Sequence, residues 1–143
     1  MGRRPLLGEC NLGHLRLSGV GHLVRQEWTA IQEALPTVAV DAFVIMPDHM
    51  HAIVWIVELP GPRGSVPSTS LWRVMQRFKS ISTRKINQIQ GTPGAQFWQR
   101  SYHDRIIRDE AALQMMRQYI HDNPARWRRS GPIGWGRSGG RRP

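Results

Sequence analysis

Residues 38–46 are β-branched and apolar at nearly every position, with Ala39 and Asp41 the exceptions, and a second strand-like run follows at residues 49–58. A strand covered on both faces reads as a near-continuous apolar run, whereas one with an exposed face alternates. Pro47-Asp48 separates the two runs and breaks the first, because proline cannot donate to a ladder. Two runs this close predict neighbouring strands of one sheet.

Alternate residues of a strand point to opposite faces. In the second run that groups His49, His51, Ile53, Trp55 and Val57 on one side and Met50, Ala52, Val54 and Ile56 on the other.

The remaining elements follow from spacing. Residues 12–17 read as a short strand. Ser18 caps a helix over residues 20–34, with Val20, Val24, Trp28, Ile31 and Leu35 at helical intervals and Pro36 as its stop. Residues 59–70 are rich in proline and glycine and predict an exposed loop. Thr69 or Ser70 caps a second helix whose apolar positions are Leu71, Val74, Met75, Phe78 and Ile81. The Gly-Thr-Pro-Gly step at 91–94 ends it, and residues 96–107 contain one more expected strand. Asp109 caps a third helix running to about residue 122, stopped by Pro124. The order β-α-β-β-α-β-α predicts an α+β fold with helices on one side of a mainly antiparallel sheet and the other side open to a ligand.

A chain of 143 residues allows one such core. The longest uninterrupted apolar run, residues 52–57, is far short of the ~20 needed to cross a bilayer, so no membrane partner is expected. The single cysteine, Cys10, makes neither an internal disulfide nor a thiolate cluster, and cytoplasm is the expected compartment. The 20 lysines and arginines against 10 acids give a formal net charge of +10, which calls for a polyanionic partner, nucleic acid being the commonest. Residues 125–143 carry six arginines, five glycines and no acid, and are expected to form a basic arm.

Two pairs of residues carry chemistry. His49 and His51 on one strand face are spaced to grip a single divalent ion. Tyr119 and Asn123, four apart on a helix, share a face one turn from each other. An ion held by both imidazoles and the Asn123 oxygen would keep open positions for a phosphate, with Tyr119 beside it as a nucleophile. The plainer readings are polar residues beside a turn, and a packing tyrosine followed by a helix stop. Tyr102 is the rival nucleophile; its strand-like setting fits packing or base stacking better.

The stretches DAFVIMPDHMH at 41–51, FKS at 78–80, FWQRSYHDRIIRDE at 97–110 and YIHDNP at 119–124 resemble the HUH single-tyrosine transposases, and within them the REP-associated tyrosine transposases of bacteria. The similarity runs in order over residues 7–127. It implies a ferredoxin-like antiparallel palm over residues 1–127 presenting His49 and His51, with Tyr119 catalytic on a neighbouring helix and Asn123 as third metal ligand. The implied activity is metal-dependent nicking and joining of single-stranded or hairpin DNA through a 5′-phosphotyrosine. Mg²⁺ or Mn²⁺ is the expected ion, and the enzyme is expected to be a monomer or homodimer.

DNA contacts are expected from Arg73, Arg77, Lys79, Arg84 and Lys85 on the second helix, from His103, and from Arg126, Arg128 and Arg129, with Trp127 or Trp135 stacking on bases. Residues 128–143 are expected to form a basic Gly/Arg-rich tail. Members of the family begin with an extra strand ahead of the stretch matching residues 6–9, and this chain is expected to lack it. Two other readings stay open: a DNA-binding remnant that no longer cuts, and a hydrolytic phosphoesterase using the same ion.

Overall fold

In the computed structural model, which describes residues 6–57, Pro62 and residues 69–130, Leu12 and Gly13 take positive φ values of 55° and 78°. Positive φ at both central residues is what a tight two-residue turn needs to join twisted antiparallel strands. The turn links β1 (Gly8–Asn11) to β2 (His14–Leu17). The strand expected at residues 12–17 is thus the second arm of a hairpin. Leu7, just ahead of it, is buried; its amide donates to the Pro47 carbonyl at 2.9 Å, and its carbonyl accepts from the Ser18 amide.

Helix α1 (Gly19–Ala34) follows, with the Ser18 hydroxyl accepting from the Gly21 amide as N-cap. Val24, Trp28 and Ile31 are buried along one stripe, as their spacing predicts.

The centre is the antiparallel pair β3 (Val38–Ile45) and β4 (Met50–Ile56), in register from Val38↔Ile56 to Ile45↔Met50. A bulge between Val40 and Phe43 adds a residue to β3 and flips its parity. Before the bulge Val38 and Val40 face one core; beyond it Phe43 and Ile45 join them, while Ala42 and Val44 turn to the other side. Both faces of β3 are therefore covered, as its apolar run predicts. In β4 Met50 and Val54 face the first core and Ile53 the second, the expected alternation.

Helix α2 (Leu71–Gln90) is capped by Ser70 and ends at Gly91, whose φ of 65° suits a helix C-terminus. It packs beside α1, and Trp28 meets Phe78 edge-on with ring centroids 5.0 Å apart. Helix α3 (Glu110–Ser130) begins with Asp109 Oδ1 accepting from the Ala112 amide, the expected cap.

The α+β class and the antiparallel pairing are as expected, with three corrections. First, the helices do not share one face: α1 and α2 cover one side of β3–β4, and Leu113 and Ile120 of α3 cover the other. The parity flip at the bulge makes that second apolar face. Secondly, residues 96–107 form no strand, and among the described residues there are two separate two-stranded sheets. The segment's polar ties go to side chains of α2 in place of a ladder. Thirdly, α3 does not stop before Pro124 but continues to Ser130. A proline forfeits one helical hydrogen bond, and packing can override that loss. Here the Cys10 thiol donates to the Pro124 carbonyl at 3.2 Å, and Gly13 passes close to Ala125.

No helix among the described residues is long and apolar enough to cross a membrane. Most of the expected 59–70 loop, and the tail from residue 131 with Trp135, lie outside the described residues.

Candidate active site

The turn after β3 closes with the Met46 amide donating to the His49 carbonyl at 2.7 Å, which sets His49 at the head of β4. His51 follows on the same face, buried, so both rings point toward α3. Their Nε2 atoms lie 3.1 Å apart and the rings meet edge-on. Across the gap α3 presents Tyr119, Asn123 and Trp127, each one turn after the last. The Tyr119 ring meets His51 in a T-shape at 5.7 Å between centroids, and the Trp127 ring lies 6.0 Å from that of His49.

Asp48 completes the histidine pair. Its side chain is only 3% exposed, and its Oδ1 lies 2.5 Å from Nδ1 of His49. A carboxylate there holds the proton on Nδ1 and leaves Nε2 with its lone pair outward, the orientation a metal ligand needs. Burial first, and the neighbouring charge of His49 second, push His51 down to about 4, so at neutral pH its ring is uncharged.

The fit to a metal can be tested on these distances. Two ligands bound at about 2.1 Å and meeting at a right angle stand about 3.0 Å apart; the two Nε2 atoms match that spacing. Among the described residues no cluster of three or more His, Cys, Asp or Glu is shaped to hold an ion, so a third protein ligand must be of another kind. Asn123 qualifies: its Nδ2 is buried with no hydrogen-bond partner. The two ends of an amide exchange by a half-turn, so that enclosed position can equally hold an oxygen.

A second set of contacts fixes α3 against the sheet. Arg117 donates to both oxygens of Asp41, Nε to Oδ1 at 2.9 Å and Nη2 to Oδ2 at 2.6 Å. Asp41 also accepts from Trp55 Nε1 at 2.7 Å and from the Ala42 amide at 2.6 Å. With the Arg117 guanidinium as the largest cause, its carboxyl is held well below the usual carboxylate range. Asp41 sits at the bulge and Arg117 two residues before Tyr119, so this junction sets the rotation of α3. Neither it nor Asp48 was singled out from sequence. The available signal was a lone acid inside an apolar strand, which must find partners if it is to be buried.

The basic residues expected to meet DNA are divided. On α2, Arg77 faces α1 and Lys85 is ion-paired with Glu27 of α1, whereas Lys79 donates to the Gln99 carbonyl at 2.8 Å and Arg84 lies on the same side. Arg73 is exposed in the first turn of α2, and His103 is exposed on the segment leading to α3. The Arg126 guanidinium carbon stands 5.5 Å from the Tyr119 ring centroid, and the side chain reaches Asp122 at 4.0 Å. Arg128 and Arg129 fall in the last turn of α3, their side chains outside the description. Tyr102 lies under the Lys79 ammonium, 5.2 Å from its ring centroid, and so belongs with α2.

A family model described as transposase, IS200 like, matches residues 26–123, a span that holds both histidines, Tyr119 and Asn123. The chain is 33% identical over 140 residues to an uncharacterized protein of Haemophilus influenzae, covering 83% of this chain and 75% of that one. No solved structure matches it significantly.

Proposed function

The chain belongs to the IS200-like transposase family, and on that premise we propose that it cuts and rejoins single-stranded DNA with Tyr119 as nucleophile. The observation that carries this reading is the contact of the Tyr119 ring with His51, whose Nε2 converges with that of His49.

In this reading the Tyr119 phenol gives up its proton and its oxygen attacks the scissile phosphorus. A bond forms between that oxygen and phosphorus as the bond to the 3′ oxygen breaks, and the departing oxygen takes up a proton. The product is a 5′-phosphotyrosine and a free 3′ hydroxyl. Attack by a 3′ hydroxyl from another strand reverses the exchange and frees Tyr119, so no nucleotide cofactor is consumed.

An unperturbed phenol ionises only near ~10, so the phenolate and the charge building on phosphorus both need positive charge nearby. The Arg126 guanidinium beside the Tyr119 ring supports that role. His49, His51 and the Asn123 oxygen are the residues that would hold a divalent ion, Mg²⁺ or Mn²⁺, which when bound polarises a phosphate oxygen as a Lewis acid. Asp48 keeps His49 in the ligating tautomer.

The test is an adduct assay. The protein is incubated with pooled labelled hairpin oligonucleotides and Mn²⁺, then denatured and resolved by size. A covalent protein–DNA band is expected for the natural chain and for Tyr102→Phe, none for Tyr119→Phe, and none with a chelator present. An adduct persisting in Tyr119→Phe overturns the assignment.

A further inference from the structure

The segment after α2 has no ladder to hold it, yet it is fixed in place. Asn87 Nδ2 donates to the Ala95 carbonyl at 2.7 Å, Trp98 Nε1 donates to the Ser82 hydroxyl at 2.9 Å, and Lys79 Nζ donates to the Gln99 carbonyl at 2.8 Å. Three side chains spread along α2 thus hold the segment opposite the helix, two at backbone carbonyls and one at the Trp98 ring. Between the two runs lies an open groove of about 880 Å³.

This groove is not the Tyr119 site. Phe97 and Trp98 pack on the core that α1 and α2 share, on the side of β3–β4 away from α3.

Its chemistry is one-sided. Lys79, Arg84 and Arg100 line it, and no carboxylate does. Arg84 and Arg100 are exposed, and neither side chain makes an ion pair or hydrogen bond among the described residues. Phe97 and Trp98 are half-buried in the same wall, so part of each ring surface faces the opening. Unopposed cations over an aromatic floor are what an unpaired nucleic-acid strand needs: guanidinium groups for phosphates and ring faces for bases. Bases stacked inside a duplex cannot reach such rings.

We propose that this groove is a second DNA site, holding unpaired nucleotides of a single strand by phosphate contacts to Arg84 and Arg100 and by stacking on Phe97 or Trp98. The segment that walls it continues to Ile107, which packs in the core beneath α3. Exposed Arg100, His103, Arg105 and Arg108 mark that route, with Asp104 the one acid among them, so a strand seated in the groove is led along a mainly basic edge toward the Tyr119 face. Binding here does not require that Tyr119 cut, so the groove is tested without cleavage.

The full chain is titrated in chelator with a labelled oligothymidine, the matching duplex, and heparin as a base-free polyanion. The double variant Arg84→Gln/Arg100→Gln keeps the fold, checked by circular dichroism, because both side chains are exposed. It is expected to lose about tenfold or more in single-strand affinity. Its slope of log affinity against log salt should be shallower by about 1.4, two contacts at ~0.7 each. A 5-iodouracil oligonucleotide is expected to crosslink to the peptide holding Phe97 and Trp98. Unchanged affinity and salt slope in the double variant overturn the proposal, as do crosslinks confined to α3 and β4. Heparin losing as much affinity in the double variant as the oligothymidine does, with no crosslink at 97–98, also overturns it and marks a general anion surface. Because no cutting is involved, failure here leaves the adduct assay on Tyr119 standing, and failure there leaves this one.

Discussion

Arg117 holds Asp41 by two parallel hydrogen bonds, 2.9 Å and 2.6 Å, joining the helix that carries Tyr119 to the bulge of β3. A bidentate guanidinium–carboxylate pair fixes geometry as well as energy. Asp41→Asn removes the charge and half the fork, so the melting temperature is expected to fall by several degrees at pH 7 and adduct formation to slow several-fold. The Asp41 carboxyl titrates well below its ordinary range, so its stabilisation is complete above the unfolded value of ~3.9 and is lost as pH falls below it. Thermal unfolding at pH 7 and pH 3 should therefore show the gap between natural chain and variant narrowing in acid. A gap of equal size at both pH values refutes the role given to this pair.

Gly21 lies where α1 passes the Leu7 carbonyl, and a Cβ built there would stand 2.0 Å from that oxygen. The contact is backbone against backbone, with no flexible end to yield. Gly21→Ala is expected to destabilise the fold by about 1–3 kcal/mol despite alanine's better helix propensity. Urea unfolding checks this; a stability equal to or above the natural chain would show that residues 6–7 can lift away from α1.

Some of this was legible in the sequence and some was not, for identifiable reasons. Period-two alternation correctly put His49 and His51 on one face, because β4 is regular. In β3 the pattern could not show the bulge, since the extra residue is fixed by Trp55 and Arg117, 14 and 76 positions from Asp41. The expected strand at 96–107 has the aromatic and β-branched composition of one, but the Lys79 side chain takes its Gln99 carbonyl and Asn87 the Ala95 carbonyl just ahead of it, which a local pattern does not reveal. Pro124 reads as a stop, yet contacts from the β1–β2 hairpin and from His49 hold the helix beyond it.

Asp48 acts on metal binding through His49. Asp48→Asn keeps an acceptor beside Nδ1 but removes the charge that makes the imidazole a better donor, and Asp48→Ala removes the acceptor too. Second-sphere losses of this kind cost about 10–100-fold in metal affinity, with Asn expected near the lower figure and Ala near the upper. Calorimetric titration with Mn²⁺ measures this without reference to cutting. Affinity unchanged in both variants would mean that His49 keeps its ligating tautomer unaided.

His51 makes the metal-free chain sensitive to mild acid. Its ring is held down to about 4 by burial and by His49, whereas in the unfolded chain it regains the ordinary ~6.5. Between these values the unfolded state binds more protons, so stability rises with pH across the window. It is complete above about 6.5 and is lost as pH falls toward 4, with a slope approaching ~1.4 kcal/mol per pH unit. Denaturant unfolding in chelator, from pH 7 to pH 4.5, should show that slope in the natural chain and a flatter one in His51→Gln. Equal slopes would mean that the imidazole is solvated in the folded protein, and the pocket between β4 and α3 would then be too wet to hold the histidine pair as described.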